Sequence, residues 1–247
     1  MAGHSKWKNI MHKKGKTDAQ RAKTFTKIGK EITIAIKEGG PNPVSNGKLR
    51  DLIAKAKSLN VPNDNIDRII KKASGADRAE YENINYEGYG PNGIAVIVEC
   101  ATDNRNRTSG DLRHYFDKFG GNLGSIGSVS YLFTKKGTLI VDAAVNSDEE
   151  SFMIDALEAG ANDFVFVEGD GETDSVFEVD VDPTRVSEVS ENLSAAGYTI
   201  LSAETEMVPS TYATAVDEAG VINMTKLIDN LEDHDDVLNI WHNWEQS

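Results

Sequence analysis

The densest chemistry in the sequence lies at its start. Within residues 1–23 stand Lys6, Lys8, Lys13, Lys14, Lys16, Arg21 and Lys23 against one acid, Asp18. Cations this closely set bring charge to a polyanion and release its condensed counterions. Trp7, between Lys6 and Lys8, offers a ring to stack on an unpaired base, and His4 and His12 offer hydrogen bonds to phosphate or base. The same residues also fit a solvated basic tail with Trp7 packed on the fold behind it. Lys23, Lys27, Lys30 and Lys37 then recur at helical spacing, opposite Phe25, Ile28, Ile32, Ala35 and Ile36. That pattern predicts an amphipathic helix with an outward lysine stripe, so the candidate nucleic-acid contacts extend through Lys23, Lys27 and Lys30.

Charge is divided along the chain. The whole of its 247 residues carries a formal −14, yet residues 1–78 hold 18 Lys or Arg against 7 Asp or Glu, and the remainder hold 8 against 33. Such asymmetry suggests a basic binding module joined to an acidic body. The alternative is that the basic part simply docks on the acidic part.

Other constellations are weaker. In "TDNRNRTSGDLR" a strand gives way to a helix, and Arg105, Arg107 and Arg113 form a candidate second anion contact. Equally, they can pair with neighbouring acids while Asp103 or Asp111 caps the helix. "GGNLGSIGS" (120–128) matches no phosphate-loop pattern and reads as tight turns. "EGDGETDSVFE" (168–178) fails the EF-hand register at Ser175 and Val181 and reads as a hairpin tip. "EDHDD" (232–236) reads as a polar turn, and His114, His234 and His242 have no ligand spacing. Trp241 and Trp244 fall on opposite faces of a strand, so at least one belongs to the core. The one cysteine, Cys100, lies in an apolar strand, which leaves no intramolecular disulfide and no Cys-rich zinc site. No nucleophile motif is present. The expectation is a protein with no catalytic residues, no metal and no cofactor.

These residues must be positioned by several elements. Residues 1–16 read as an extended arm, and Thr17 with Gln20 as a capping box for a helix running to about Lys37. A second helix follows a cap at Asn46, and a third spans about Asn63–Ala73, which completes a three-helix bundle. "GADRAEYEN" reads as a linker, Gly93–Thr102 as a strand, the segment to Phe119 as a helix, and Gly127–Phe133 as a strand. From Gly137 the pattern is βαββαβ, the split βαβ unit of ferredoxin-like folds, with Phe152, Ile154 and Leu157 inward on its first helix and Pro183 opening its second. A final helix and strand cannot bury themselves alone and are expected to return to the sheet of residues 80–134. The predicted fold is therefore multi-domain, α and α+β: a basic helical domain at 1–78, an α+β middle domain at 79–135 plus 209–247, and a ferredoxin-like domain at 136–208 inserted into it. No run reaches the roughly 20 apolar residues of a membrane span, and the start lacks an apolar secretory region. The expected location is the cytoplasm, without membrane partners.

"MAGHSKWKNIMHKKGKTDAQRAKTFTKI", "VPNDNIDRIIKK", "NYEGYGPNGIAVIVECATDNRNRT" and "GGNLGSIGSVSYLF" resemble the YebC/PmpR family of bacterial regulatory proteins, to which a mitochondrial translational activator of cytochrome c oxidase also belongs. The resemblance runs end to end. It implies three domains, a cytoplasmic protein and no enzymatic activity. Most members are described as DNA-binding transcriptional regulators, and others act in translation at the ribosome. Where the family usually has His-Arg-Lys, this chain has His12-Lys13-Lys14, without arginine's bidentate fork. The expected function is nucleic-acid-binding regulation of gene expression, with DNA and the transcription machinery as partners. Two alternatives stand beside it: a translation factor on ribosomal RNA, favoured by the lack of a recognition helix, and a protein-interaction module acting through the acidic domains.

Overall fold

The computed structural model describes residues 18–75, 80–143, 148–169, 174–215 and 217–245, with side chains described from residue 22. Seven α-helices and two four-stranded sheets stand among the described residues. The chain divides into two compact units, one drawn from Met1–Arg78 with Lys136–Glu206, the other from Ala79–Lys135 with Met207–Ser247.

The first unit opens with three helices: α1 (Asp18–Gly39), α2 (Gly47–Ser58) and α3 (Asn63–Ala73). Ile28, Ile32, Ala35 and Ile36 of α1 meet Leu49, Leu52 and Ala56 of α2 and Ile66 and Ala73 of α3 in one apolar core. Asn46 fixes the corner. Its Oδ1 accepts the Leu49 N–H at 3.1 Å, and its Nδ2 donates to the carbonyls of Ala35 and Gly40, each at 2.8 Å. One buried side chain thus closes the end of α1 and starts α2, while Gly40 turns the chain at φ +83°.

The same unit contains α5 (Glu149–Ala159), β5 (Asp163–Val167), β6 (Val176–Val181), α6 (Val186–Ala195) and most of β4 (Phe133–Asp142) and β7 (Ile200–Pro209), whose residues 133–135 and 207–209 belong to the second unit; the sheet order is β5-β6-β4-β7. That is the order and alternation of a split βαβ unit. Its core gathers Leu139, Val141, Phe177 and Val179 of the sheet with Phe152, Ala156, Val189 and Leu193 of the helices. Phe152 stacks on Phe177 with centroids 3.9 Å apart. This contact corrects the sequence expectation for α5. Ala156 and Ala159 join Phe152 inward, and Ile154 and Leu157 face solvent. The helix is apolar on both sides, so composition alone does not choose a face. The small alanines admit close approach to the sheet, and the Phe stack fixes the rotation. α6 begins at Val186 rather than at Pro183, because Asp182 accepts the Thr184 N–H at 2.7 Å and holds 183–185 in a turn.

The second unit holds β1 (Glu82–Tyr89), β2 (Ala95–Thr102), α4 (Arg105–Lys118), β3 (Asn122–Leu123), α7 (Glu218–Asp233) and β8 (Val237–His242). The sheet order is β3-β1-β2-β8, and the pairs β1–β2, β1–β3 and β2–β8 are antiparallel. β2 explains the apolar run in the sequence: Val96, Val98 and Cys100 face α4 and α7, while Ala95 and Ile97 pack with Val129, Phe133 and Trp241 on the other side. Trp244 joins the first cluster, so the two tryptophans do serve opposite faces.

Two expectations fail here. Only the first two residues of β1, Glu82 and Asn83, fall in the segment read as linker, yet the strand runs on to Tyr89, and Gly127–Phe133 is not a strand. A 3₁₀ turn covers Ser130–Leu132, and β4 starts only at Phe133. The cause is Glu87, whose carboxylate accepts the N–H groups of Gly127, Val129 and Ser130 at 2.8–2.9 Å. Those donors are spent on a side chain and are lost to any ladder.

Candidate nucleic-acid interface

The cationic residues of the helical module separate into three groups. His4, Lys6, Trp7, Lys8, His12, Lys13, Lys14 and Lys16 lie outside the described residues, as does the Thr17 cap. Arg21 falls on α1, as its fourth residue. Lys23 and Lys27 are half-buried and Lys30 is only 8 % exposed; none of the three is free of interactions.

The outward stripe therefore needs correction at Lys30. That side of α1 also carries Ile34, one turn on, which is buried. Beside them Glu31 binds Lys55 of α2 at 3.2 Å, and Lys55 reaches Glu204 of β7 at 2.9 Å. The face is occupied by the unit's own packing. Burial alone would lower the Lys55 pKa, but Glu204 and then Glu31 outweigh it and hold the ammonium charged.

Two further charges of α2 serve the fold in the same way. Arg50 pairs with Glu191 at 3.2 Å. Asp51 is buried and accepts the hydroxyls of Ser187 and Ser190 of α6 at 2.7 and 2.9 Å. Burial raises its pKa, and the two serine hydroxyls partly offset that.

What remains open to solvent is Lys37, the last residue of the expected stripe, together with Lys57, Arg68, Lys71 and Lys72, which were not among the candidate contacts. Arg68, Lys71 and Lys72 share the side of α3 opposite Ile66, Ile69, Ile70 and Ala73. Their 3–4 spacing was the available signal. Asp64 and Asp67 occupy the N-terminal half of the same helix, so its exposed side runs from acidic to basic along its length.

The second candidate, at the end of β2, is built differently. Asn104, not an aspartate, caps α4 by accepting the Arg107 N–H at 3.1 Å. Asp236, buried in the α7–β8 connection, places one carboxylate oxygen 2.7 Å from the Thr108 hydroxyl, 3.1 Å from that of Thr102 and 2.9 Å from the Arg107 guanidinium. Arg107 also reaches Asp103 at 2.8 Å. Arg105 lies 3.7 Å from Glu82, and Arg113 is exposed on another side of α4. The three arginines do not converge, and Arg107 already faces two carboxylates. "EDHDD" is thus more than a polar turn: His234 contacts Asp111 at 3.2 Å and accepts the Asp236 N–H at 3.1 Å.

The glycine-rich loop does cradle an anion, but the anion is the chain's own Glu87. Burial would raise the Glu87 pKa; the three backbone donors hold it below the usual carboxylate value. Among the described residues no group of three or more His, Cys, Asp or Glu could hold a metal ion, and no helix is long and apolar enough to cross a membrane.

Two family models match: "TACO1/YebC protein N-terminal domain" over residues 5–76 and "TACO1/YebC second and third domain" over 81–244. A "Probable transcriptional regulatory protein" of Acetivibrio thermocellus is 54% identical over 245 residues, covering 99% of each chain. A protein of the same name from Ruminiclostridium cellulolyticum is 54% identical over 247 residues, covering 100% of this chain and 97% of its own. The crystal structure of a conserved hypothetical protein from Aquifex aeolicus is similar with a TM-score of 0.80 and 42% identity, covering 98% of this chain and 97% of that one. Matched along nearly its whole length, the chain belongs to the TACO1/YebC family.

Proposed function

We propose that this protein is a non-enzymatic, cytoplasmic regulator of gene expression that grips nucleic acid by its phosphates through residues 1–78, with 79–135 plus 209–247 and 136–208 as two further domains. The observation that supports this most is the division of charge, 18 cations against 7 acids in 1–78 and 8 against 33 beyond. In this reading Lys6, Lys8, Lys13, Lys14 and Lys16 neutralise phosphates, Trp7 stacks on a base, and His4 and His12 hydrogen-bond beside it. Arg68, Lys71 and Lys72 extend the contact along α3, and the acidic body keeps bulk polyanion away from the remaining surface. The names of the bacterial relatives favour DNA and transcription as the setting.

A second reading, RNA at the ribosome, is favoured by one feature of the helices. A recognition helix presents its N-terminal residues to base edges in the major groove. The N-terminal half of α3 carries Asp64 and Asp67, and at the start of α2 Lys48 and Arg50 are paired with Glu38 and Glu191. Phosphate contact on irregular RNA needs no such insertion. Crosslinking in cells followed by sequencing of the bound nucleic acid decides between them. Recovery of DNA supports the first reading, recovery of ribosomal RNA the second, and recovery of neither overturns both.

A further inference from the structure

The outer face of α5 is an apolar surface with no fold-related use. Met153, Ile154 and Leu157 are 47, 57 and 58 % exposed, and their spacing sets them on one side of the helix, away from Phe152, Ala156 and Ala159. A surface helix ordinarily keeps its apolar residues to the buried stripe, and a contiguous exposed cluster marks an interaction surface.

The rim says what covers it. Glu150 and Glu158 stand one turn before and one turn after Ile154 on the same side, with Glu149 beside them, and none of the three forms an ion pair among the described residues. From 148 to 169 the chain carries seven acids and no Lys or Arg. Arg185, which packs beside Gly160 at the end of the helix, is paired with Glu188. Asp51, Arg50 and Lys55 of the helical module contact α6 and β7 in the same unit, and none of these contacts falls on the outer face of α5.

We propose that this face of α5 docks a basic amphipathic protein segment, a short helix or strand with two or three apolar side chains set among Lys or Arg. The apolar groups would seat on Ile154, Leu157 and Met153, and the cations would pair with Glu149, Glu150 and Glu158. Nucleic acid and an anionic membrane are repelled by the same rim. A second copy meeting face to face would oppose like charges. A patch on an 11-residue helix is about 16 Å long, which fits a small, transient interface of micromolar affinity. The proposal does not depend on the nucleic-acid reading.

The test uses the full chain and a labelled synthetic helical peptide with leucine on one face and lysine on the other, read by fluorescence anisotropy. Two control peptides carry glutamate for lysine or serine for leucine. The I154S/L157S variant should bind the leucine/lysine peptide at least about tenfold more weakly than the parent, and both control peptides should lose as much. E150K/E158K, which keeps the apolar residues, should lose a similar factor. Equal binding by the parent and I154S/L157S, or by the lysine and glutamate peptides, would overturn the proposal. So would a concentration-dependent dimer in sedimentation velocity that I154S/L157S abolishes, since that assigns the face to a second copy.

Discussion

Asp51 of α2 accepts the Ser187 hydroxyl of α6 at 2.7 Å, across 136 residues of sequence. With Ser190 on its other oxygen, this carboxylate ties the helical module to the βαββαβ part of the same unit. Burial holds its folded pKa above the ordinary 3.8. The folded chain therefore keeps a proton that the unfolded chain has lost. The stabilisation from that proton is complete below about pH 3.8 and is lost as pH rises through the folded value. In urea titrations over this range, the stability of the parent minus that of Asp51→Asn should fall with rising pH. A difference that rises would contradict the assignment.

Asn46→Ala removes a helix cap and leaves the carbonyls of Ala35 and Gly40 without their shared donor. A loss of about 2 kcal/mol is expected, read as a lower urea midpoint with unchanged m. Asn46→Asp keeps the cap acceptor but sets an acceptor-only oxygen against the same two carbonyls, so it should not restore the parent midpoint.

Asp236→Ala strips one acceptor from Thr102, Thr108 and Arg107 at once. Removing a buried carboxylate from such a network costs about 3 kcal/mol. Hydrogen exchange should show the loss in β8 and the first turn of α4. Unchanged protection there would mean that the network is incidental.

Glu87 predicts the opposite pH dependence to Asp51. Its folded pKa is held below the ordinary 4.5, so its stabilisation is present above that value and is lost as pH falls through the folded one. Glu87→Gln should abolish this acid sensitivity and speed amide exchange at Gly127, Val129 and Ser130, because its NH2 group faces N–H donors.

Local signals carried much of this architecture. The bounds of α3 follow from a turn before Asn63 and a glycine after Ala73, and the cap at Asn46 follows from residue type alone. β1 escaped because its most buried residues are Glu87 and Gly88, which no strand pattern anticipates. Asp236 escaped because its partners lie 128 to 134 residues away. Lys30 appeared outward because periodicity describes a helix by itself, whereas Ile34 and the Glu31–Lys55–Glu204 chain belong to its packing. Of the candidate interface, the charge division was legible. Which lysines remain open on α3 was settled only by what the others pair with.

The salt dependence of nucleic-acid affinity tests the central claim most directly. The affinity of the full chain for a duplex and for a structured RNA would be measured across potassium chloride concentrations, beside a variant carrying K13Q, K14Q, K16Q, R68Q, K71Q and K72Q. The account predicts weaker binding by the variant and a log–log slope shallower by about 0.7–0.9 for each lost phosphate contact. Equal affinity and equal slope for the two proteins would contradict it.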